Sequence, residues 1–273
     1  MSTLAVIGVG NMAKAILAGI AASDLPIDRV AVYDKYEEQY QTLPKSSHFE
    51  YTYATDVREA ANLADVVLLS VKPQNYAEVL SEIASLEDAE KKLYISIGAG
   101  ITVAQVTDAL RGAKTVRVLP NVPILIGMGT ALVCRNDNVP KEEFDLVCDI
   151  FNAAGSTVVI EESDMNRMIG VTSSSPAYVF RFIRAMYEGA LAQGLTDDGT
   201  LLATICDMVS ASAQMLKQTN DTPDALIAKV ASKGGTTERA LLAMTEGHFD
   251  EVIAKAMLDC TLRANELGQA AKK

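Results

Sequence analysis

The residues with the clearest chemical meaning stand near the start, in the run Ile7-Gly8-Val9-Gly10-Asn11-Met12-Ala13. Gly8, Gly10 and Ala13 have the spacing G-x-G-x-x-A, after an apolar run (Leu4–Ile7) and before a helical pattern of Met12, Ile16, Gly19 and Ile20. In that pattern the first glycine permits a tight strand-to-helix turn, and the second lets the backbone approach a diphosphate. A small third residue lets helix and strand pack closely. The diphosphate then meets unpaired N–H groups at the positive end of a helix dipole. A second chemical residue follows at the expected offset. Val30-Ala31-Val32-Tyr33 reads as a strand ending at Asp34, an acid placed to accept hydrogen bonds from a ribose and to repel a 2′-phosphate. Lys35 is the next residue and could neutralise such a phosphate, so NAD and NADP both stay open; an ordinary turn aspartate is the plain alternative.

Three more polar loops end apolar runs. They are Ser70-Val71-Lys72-Pro73, Gly98-Ala99-Gly100 and Pro120-Asn121-Val122-Pro123. Each by itself is compatible with turn chemistry. Together, at successive strand ends, they outline one cofactor groove, with Lys72 toward phosphate or ribose and Gly98–Gly100 toward the nicotinamide half. In the second half, Ser232-Lys233-Gly234-Gly235-Thr236-Thr237-Glu238 is glycine-rich and precedes a helical pattern. Backbone N–H groups there would suit a small carboxylate. The alternative is a helix start capped by Thr236.

These residues need a frame to hold them. Runs at Val66–Val71, Leu93–Ile97, Thr115–Leu119, Thr130–Cys134 and Thr157–Ile160 read as further strands, separated by helical stretches at Asn75–Leu86, Val103–Leu110 and Lys141–Ala153. Alternation of this kind predicts a doubly wound, mostly parallel α/β sheet of the Rossmann type over residues 1–162. From residue 163 to 273 the strand signals stop. Helices are expected at Asp164–Gly194, Leu201–Thr219, Pro223–Ala231, Thr236–Glu246 and Phe249–Leu267. Met165–Gly194 and Leu201–Gln218 are too apolar for an exposed face, which predicts an all-α dimerisation domain.

Composition narrows the class. The chain has 273 residues, 49% of them hydrophobic, and a net charge of −11. That charge argues against nucleic acid and anionic membrane partners. Four scattered cysteines without a C-x-x-C pair read as free buried thiols of a reducing, cytoplasmic compartment. With His48 and His248 as the two histidines, no metal site is expected. The first 23 residues lack the basic start of a signal peptide, Asn11 and Lys14 interrupt their apolar stretch, and no membrane span is expected elsewhere.

Nearly end to end, the sequence resembles the pyrroline-5-carboxylate reductases. The likeness rests on Ile7–Ala13, on Ala64-Asp65-Val66-Val67-Leu68-Leu69-Ser70-Val71-Lys72-Pro73-Gln74, and on Ser96-Ile97-Gly98-Ala99-Gly100-Ile101. Val116-Arg117-Val118-Leu119-Pro120-Asn121, Ser174-Ser175-Pro176-Ala177-Tyr178-Val179-Phe180 and Gly234-Gly235-Thr236-Thr237 continue it. The resemblance implies reduction of the C=N bond of 1-pyrroline-5-carboxylate by NADPH or NADH, the last step of proline synthesis. It implies a helical domain interlocked with a partner copy, as a dimer or with dimers assembled into a decamer. It places the substrate carboxylate on Ser232, Gly234, Gly235 and Thr236, with Ser174 also at the substrate, and Thr237 at the substrate nitrogen as the catalytic residue. Ile7–Ala13, Asp34, Lys35, Ser70–Pro73, Gly98–Gly100, Pro120 and Asn121 would hold the dinucleotide. The chain departs from the family pattern at Ser173 and Ser175 (usually glycine), Lys233 (usually proline), Val122 (usually threonine) and Arg184 (commonly acidic). Two other readings fit such departures: a reductase of another small cyclic imine or oxo acid, and a catalytically reduced homologue that senses dinucleotide.

Overall fold

The computed structural model describes residues 2–270. The chain divides into two compact units, one running to Ser174 and resumed from Leu258, the other Ser175–Met257. The first unit is built on one eight-stranded sheet. Its strands are β1 (Ser2–Ile7), β2 (Ile27–Tyr33), β3 (Glu50–Tyr53), β4 (Val66–Leu69), β5 (Leu93–Ser96), β6 (Lys114–Leu119), β7 (Gly129–Arg135) and β8 (Gly155–Val159). Their order across the sheet is β3-β2-β1-β4-β5-β6-β7-β8. The chain reverses its crossing direction between β3 and β4, on either side of β1, and the carboxyl ends of β1 and β4 open there onto a crevice.

Helices cover both faces. On one side α1 (Asn11–Ala21) and α5 (Lys141–Asn152) pack Ile16, Leu17, Ile20, Val147 and Phe151 against Val6, Val30, Leu68 and Val116. On the other, α2 (Val57–Asn62), α3 (Tyr76–Ala84) and α4 (Val103–Ala109) bury Ala60, Tyr76, Ile83 and Val106 against Ile7, Val67, Leu69 and Tyr94. Central strands buried on both faces carry near-continuous apolar runs, which is why β4 reads Val-Val-Leu-Leu. A third cluster joins Leu119, Leu132 and Cys134 to Met165 of α6 (Glu162–Met168) and Ala264 of α11 (Phe249–Ala270).

The doubly wound sheet is as expected from the sequence, with four local differences. The edge strand β3 and the short helix α2 carry no apolar run and were not anticipated; α2 starts where the Asp56 carboxylate accepts the Glu59 N–H at 2.7 Å. β7 runs antiparallel to β6, because the 120–128 connection is too short for a crossover helix. The predicted strand Val66–Val71 ends at Leu69, so Ser70–Lys72 is loop. The single helix predicted over Asp164–Gly194 is broken into α6, a π-helical turn at Ile169–Ser173, and α7 (Ser175–Ala192). Pro176 is the cause. It has no N–H for the Thr172 carbonyl, which instead accepts the Asn121 side-chain amide at 3.1 Å.

The second unit is helical: α7, α8 (Leu201–Thr219), α9 (Pro223–Val230), α10 (Thr236–Glu246) and the first half of α11. Its apolar side chains are largely exposed. Phe180, Met215, Val230 and Val252 are 60%, 50%, 67% and 60% accessible, and Ile205 alone is buried among its described residues. Such a surface lacks a core of its own and calls for a partner. No disulfide joins the four cysteines; Cys134 is buried, whereas Cys206 is exposed, so the expectation of buried thiols fails at Cys206.

Candidate functional site

The carboxyl ends of β1, β2 and β4 surround a cavity of about 520 Å³. It brings together nine of the sequence-predicted residues: Ile7, Gly8, Gly10, Asn11, Asp34, Lys35, Ser70, Val71 and Lys72. Gly8 has φ +92°, and a Cβ there would meet the Ser70 carbonyl oxygen at 2.7 Å, so only glycine fits between β1 and the β4 loop. Gly10 is different. It is the N-cap of α1, and a Cβ built on it meets nothing within 4 Å. The space above Gly10 is open, as close approach of a diphosphate requires. The first helical bond runs from the Lys14 N–H to Gly10 O at 3.0 Å. The N–H groups of Asn11, Met12 and Ala13 therefore form the donor end of the helix, while the Ala13 side chain is fully buried against the sheet. A larger surface hollow of about 860 Å³ lies beside α2 and contains none of the predicted residues. Its Arg58 and Asp56 pair with each other at 3.2 Å.

Asp34 is held rather than free. One carboxylate oxygen accepts the Val9 N–H at 2.7 Å, the other the Tyr36 N–H at 3.0 Å. Tyr40 braces the same residue, its hydroxyl accepting the Asp34 N–H at 2.9 Å and donating to the Asp34 carbonyl at 3.2 Å. The acid thus ties the glycine turn to the end of β2 and fixes its own position. Lys35 rests its ammonium over the Tyr36 ring at 4.9 Å. The surroundings of β2 are negative: burial, then the carboxylate of Glu82, with Tyr40, Asp56 and Asp34 adding to it, holds the Tyr33 hydroxyl above its usual pKa. Glu78 and Glu82 of α3 line the same cavity, as do Tyr36 and Gln39. Sequence reasoning missed all four. A weak signal was present in Glu78 and Glu82, which stand four apart on a helix just after the Lys72 loop.

The remaining loops have structural duties besides any role in binding. The closest neighbours of Gly98 and Gly100 are protein: a Cβ at Gly98 would strike the Tyr76 ring at 2.7 Å, and one at Gly100 the Ala264 carbonyl of α11 at 2.9 Å. Ala99 between them is exposed. Tyr76 is buried, donating to the Leu69 carbonyl at 2.8 Å and accepting from Ser96 Oγ at 3.1 Å. Burial pushes its pKa up to about 12. Pro73 opens a 3₁₀ turn after Lys72. The Asn121 amide is engaged at both ends, accepting the Thr130 N–H at 2.9 Å besides donating to Thr172. Ser173 donates to the Pro120 carbonyl at 3.3 Å, so a serine at this position adds a clamp between the β6 loop and the π-turn. Ser174, half-buried, closes that turn with its N–H on the Ile169 carbonyl at 2.9 Å.

Arg117 of β6 stands in the Val116–Asn121 motif. It is 2% exposed, and its guanidinium meets Glu162 at 3.3 Å and Asn166 at 2.7 Å, while Nε has no partner. Glu162 also accepts the Val103 N–H at 2.6 Å, and Asn166 donates to Asn265 at 2.8 Å. Through this network β6 fixes α4, α6 and α11.

In the helical unit, Ser232-Lys233-Gly234-Gly235 forms a tight turn closed by the Gly235 N–H on the Ser232 carbonyl at 2.9 Å. Gly234 has φ +73°, the left-handed third position of a type II turn. The helix start differs from the predicted cap. Gly235, not Thr236, is the N-cap of α10, and Thr236 and Thr237 are its first two helical residues. The donors also shift by one or two residues. Gly234 N–H is taken by the Glu238 carboxylate at 2.7 Å and Gly235 N–H by Ser232. The outward N–H groups are those of Thr236, Thr237 and Glu238, the first turn of α10. Thr236 is exposed and Thr237 half-buried. Lys233 occupies the second turn position, where proline pre-sets φ. Lys233→Pro is expected to stabilise the folded chain by about 0.4–1 kcal/mol, chiefly by restricting the unfolded one. Urea unfolding of the variant checks this, and an unchanged or lowered midpoint would refute it.

Three sets of comparisons bear on this geometry. Residues 162–267 match the family described as pyrroline-5-carboxylate reductase dimerisation, and residues 3–100 match NADP oxidoreductase, coenzyme F420-dependent. The pyrroline-5-carboxylate reductase of Corynebacterium melassecola is 33% identical over 98% of this chain and 100% of its own length. That of Escherichia coli is 35% identical over 97% of both chains. Among solved structures, Plasmodium falciparum pyrroline carboxylate reductase with NADP bound superposes with a TM-score of 0.86 at 26% identity, covering 98% of both chains. The enzyme from Coxiella burnetii gives 0.84 at 30% identity, over 97% of this chain and 98% of its own. With the glycine turn, the β4 loop and the Gly-Gly-Thr-Thr helix start all present over the shared length, the chain belongs to the pyrroline-5-carboxylate reductase family.

Proposed function

We propose that this chain is a pyrroline-5-carboxylate reductase, an NAD(P)-dependent oxidoreductase that reduces the C=N bond of 1-pyrroline-5-carboxylate to L-proline. One observation carries the reading. A single family-length chain holds both a glycine turn open above Gly10 and a helix start with unpaired donors at Thr236–Glu238. Residues 1–162 hold the dinucleotide, and residues 163–273 supply the substrate loop and the self-association surface.

The cofactor residues are those of the glycine turn (Ile7–Ala13), Asp34, Lys35, Ser70–Pro73, Gly98–Gly100, Pro120 and Asn121. Bound there, NADH or NADPH supplies a hydride. The chain's own work is binding and orientation. The N–H groups of Thr236 and Thr237, framed by Ser232, Gly234 and Gly235, bind the substrate carboxylate at the positive end of α10. The Thr237 hydroxyl orients the ring nitrogen, and Ser174 is a further substrate-binding residue. A cyclic imine is basic enough to enter protonated, so no strong side-chain acid is needed at the nitrogen. That suits a site whose polar groups are hydroxyls and amides.

The exposed apolar helices of residues 175–257 are the self-association surface, consistent with the dimerisation family they match. Assembly of dimers into a decamer and a cytoplasmic location belong to the same proposal. No helix among the described residues is long and apolar enough to cross a membrane, and neither nucleic acid nor membrane is proposed as a partner. The test is a substrate panel. kcat/KM for pyrroline-5-carboxylate should exceed that for the six-membered cyclic imino acid and for open-chain 2-oxo acids. A preference for one of those would make the chain a reductase of a different imine or oxo acid.

A further inference from the structure

The adenosine end of the dinucleotide groove carries more negative charge than its single aspartate. Asp34, Glu78 and Glu82 all line the cavity. Glu78 and Glu82 stand one turn apart on α3 and so share a face. Neither carboxylate has a hydrogen-bond or ion-pair partner among the described residues. Their charge is therefore not neutralised within the fold. Asp34 cannot turn away either, because both of its oxygens are held by backbone N–H groups at 2.7 and 3.0 Å.

The cations nearby do not balance this wall. Lys14 is directed to Gln39 and Thr42, with its ammonium 2.8 and 2.6 Å from their oxygens. Lys35 lies over the exposed Tyr36 ring at 4.9 Å. Lys72 lines the same cavity, two residues after Ser70, whose carbonyl abuts Gly8, so three carboxylates (Asp34, Glu78 and Glu82) face the two ammonium groups of Lys35 and Lys72 there. Burial first, and then the nearby Glu82 carboxylate, hold the Tyr33 hydroxyl at the end of β2 above its usual pKa.

We propose that Glu78 and Glu82, acting with Asp34, select against a 2′-phosphorylated dinucleotide, so that this reductase prefers NADH to NADPH. The inference rests on the assignment of the groove as the dinucleotide site. A 2′-phosphate adds a charge of about −1.5 to −2. At a separation of about 8 Å in a solvent-exposed groove, each carboxylate weakens its binding roughly two- to sixfold at low salt, and less as salt is added.

The experiment compares kcat/KM for NADH and NADPH, with pyrroline-5-carboxylate as substrate, in the wild-type chain, E78Q/E82Q and D34S, at low and high salt. Direct titration of each dinucleotide onto the same proteins accompanies it. The expected wild-type ratio favours NADH by about tenfold or more at low salt. In E78Q/E82Q the ratio should fall about fivefold, through a lower KM for NADPH rather than a change in kcat. Added salt should narrow the wild-type gap more than the gap in the variant. Equal use of both cofactors by the wild-type chain would overturn the proposal. A ratio unmoved in E78Q/E82Q but shifted in D34S would overturn it too, leaving Asp34 as the sole discriminator. If neither dinucleotide binds in the titration, the groove assignment itself fails, and the proposal with it.

Discussion

Gly10→Val is expected to fold like the parent chain and to lose dinucleotide binding, by roughly a hundredfold or more in Kd. The two halves of this expectation come from the same atom. A Cβ at Gly10 meets nothing within 4 Å, so the branched side chain displaces no protein group. It projects instead into the space that a diphosphate must enter to reach the N–H groups of Asn11, Met12 and Ala13. Gly8 makes the contrast. Its φ of +92° and its approach to Ser70 mean that any side chain there strains the β1–β4 junction, and lost binding would not separate folding from recognition. Circular dichroism and NADH fluorescence titration on Gly10→Val check the two halves independently. A native spectrum with unchanged affinity would remove the Gly8–Ala13 turn from the nucleotide site.

The second large effect is expected at Thr237. Thr237→Ala should reduce kcat/KM for the imine by about ten- to hundredfold, the value of ~1–3 kcal/mol for one hydroxyl at an oriented centre. Dinucleotide affinity should barely change. Thr236→Ala is the control. Gly235 is the N-cap, so removing the Thr236 hydroxyl deletes no helix cap, and its backbone N–H remains to bind a carboxylate. Small, equal losses in both variants would deprive Thr237 of its orienting role. A larger loss at Thr236 would point to a substrate held by that hydroxyl and away from pyrroline-5-carboxylate.

The glycine turn, Asp34 and the Ser70–Lys72 loop were legible because their chemistry is backbone chemistry: positive φ, close approach and helix ends leave their mark in glycine and in the acid that follows. The central strands were legible for a related reason, since burial on both faces demands unbroken apolar runs. The edge strand β3 has one neighbour and exposed side chains, so Glu-Tyr-Thr-Tyr carries no such mark. The break after α6 was signalled by Pro176, yet its form depends on Asn121, more than fifty residues earlier, supplying the hydrogen bond that proline cannot. Gly98 and Gly100 stood out by residue type, and the fold adds a packing reason for both, since a side chain there would strike Tyr76 or α11. At the second loop, composition located the donors but not which were spoken for. Glu238 folding back onto Gly234 is a tertiary choice that moves the outward N–H groups to Thr236–Glu238. Glu78 and Glu82 gain meaning from the fold alone, which sets their face of α3 along the groove.

The chain is expected to turn over pyrroline-5-carboxylate with a dinucleotide held in the groove above Gly10. The most direct test is stoichiometry: purified chain, pyrroline-5-carboxylate and reduced dinucleotide, with proline and oxidised cofactor quantified together. One proline should form per dinucleotide oxidised, with catalysis abolished in Gly10→Val. Tight dinucleotide binding without proline formation would contradict it, and would make the chain a sensor built on a reductase fold.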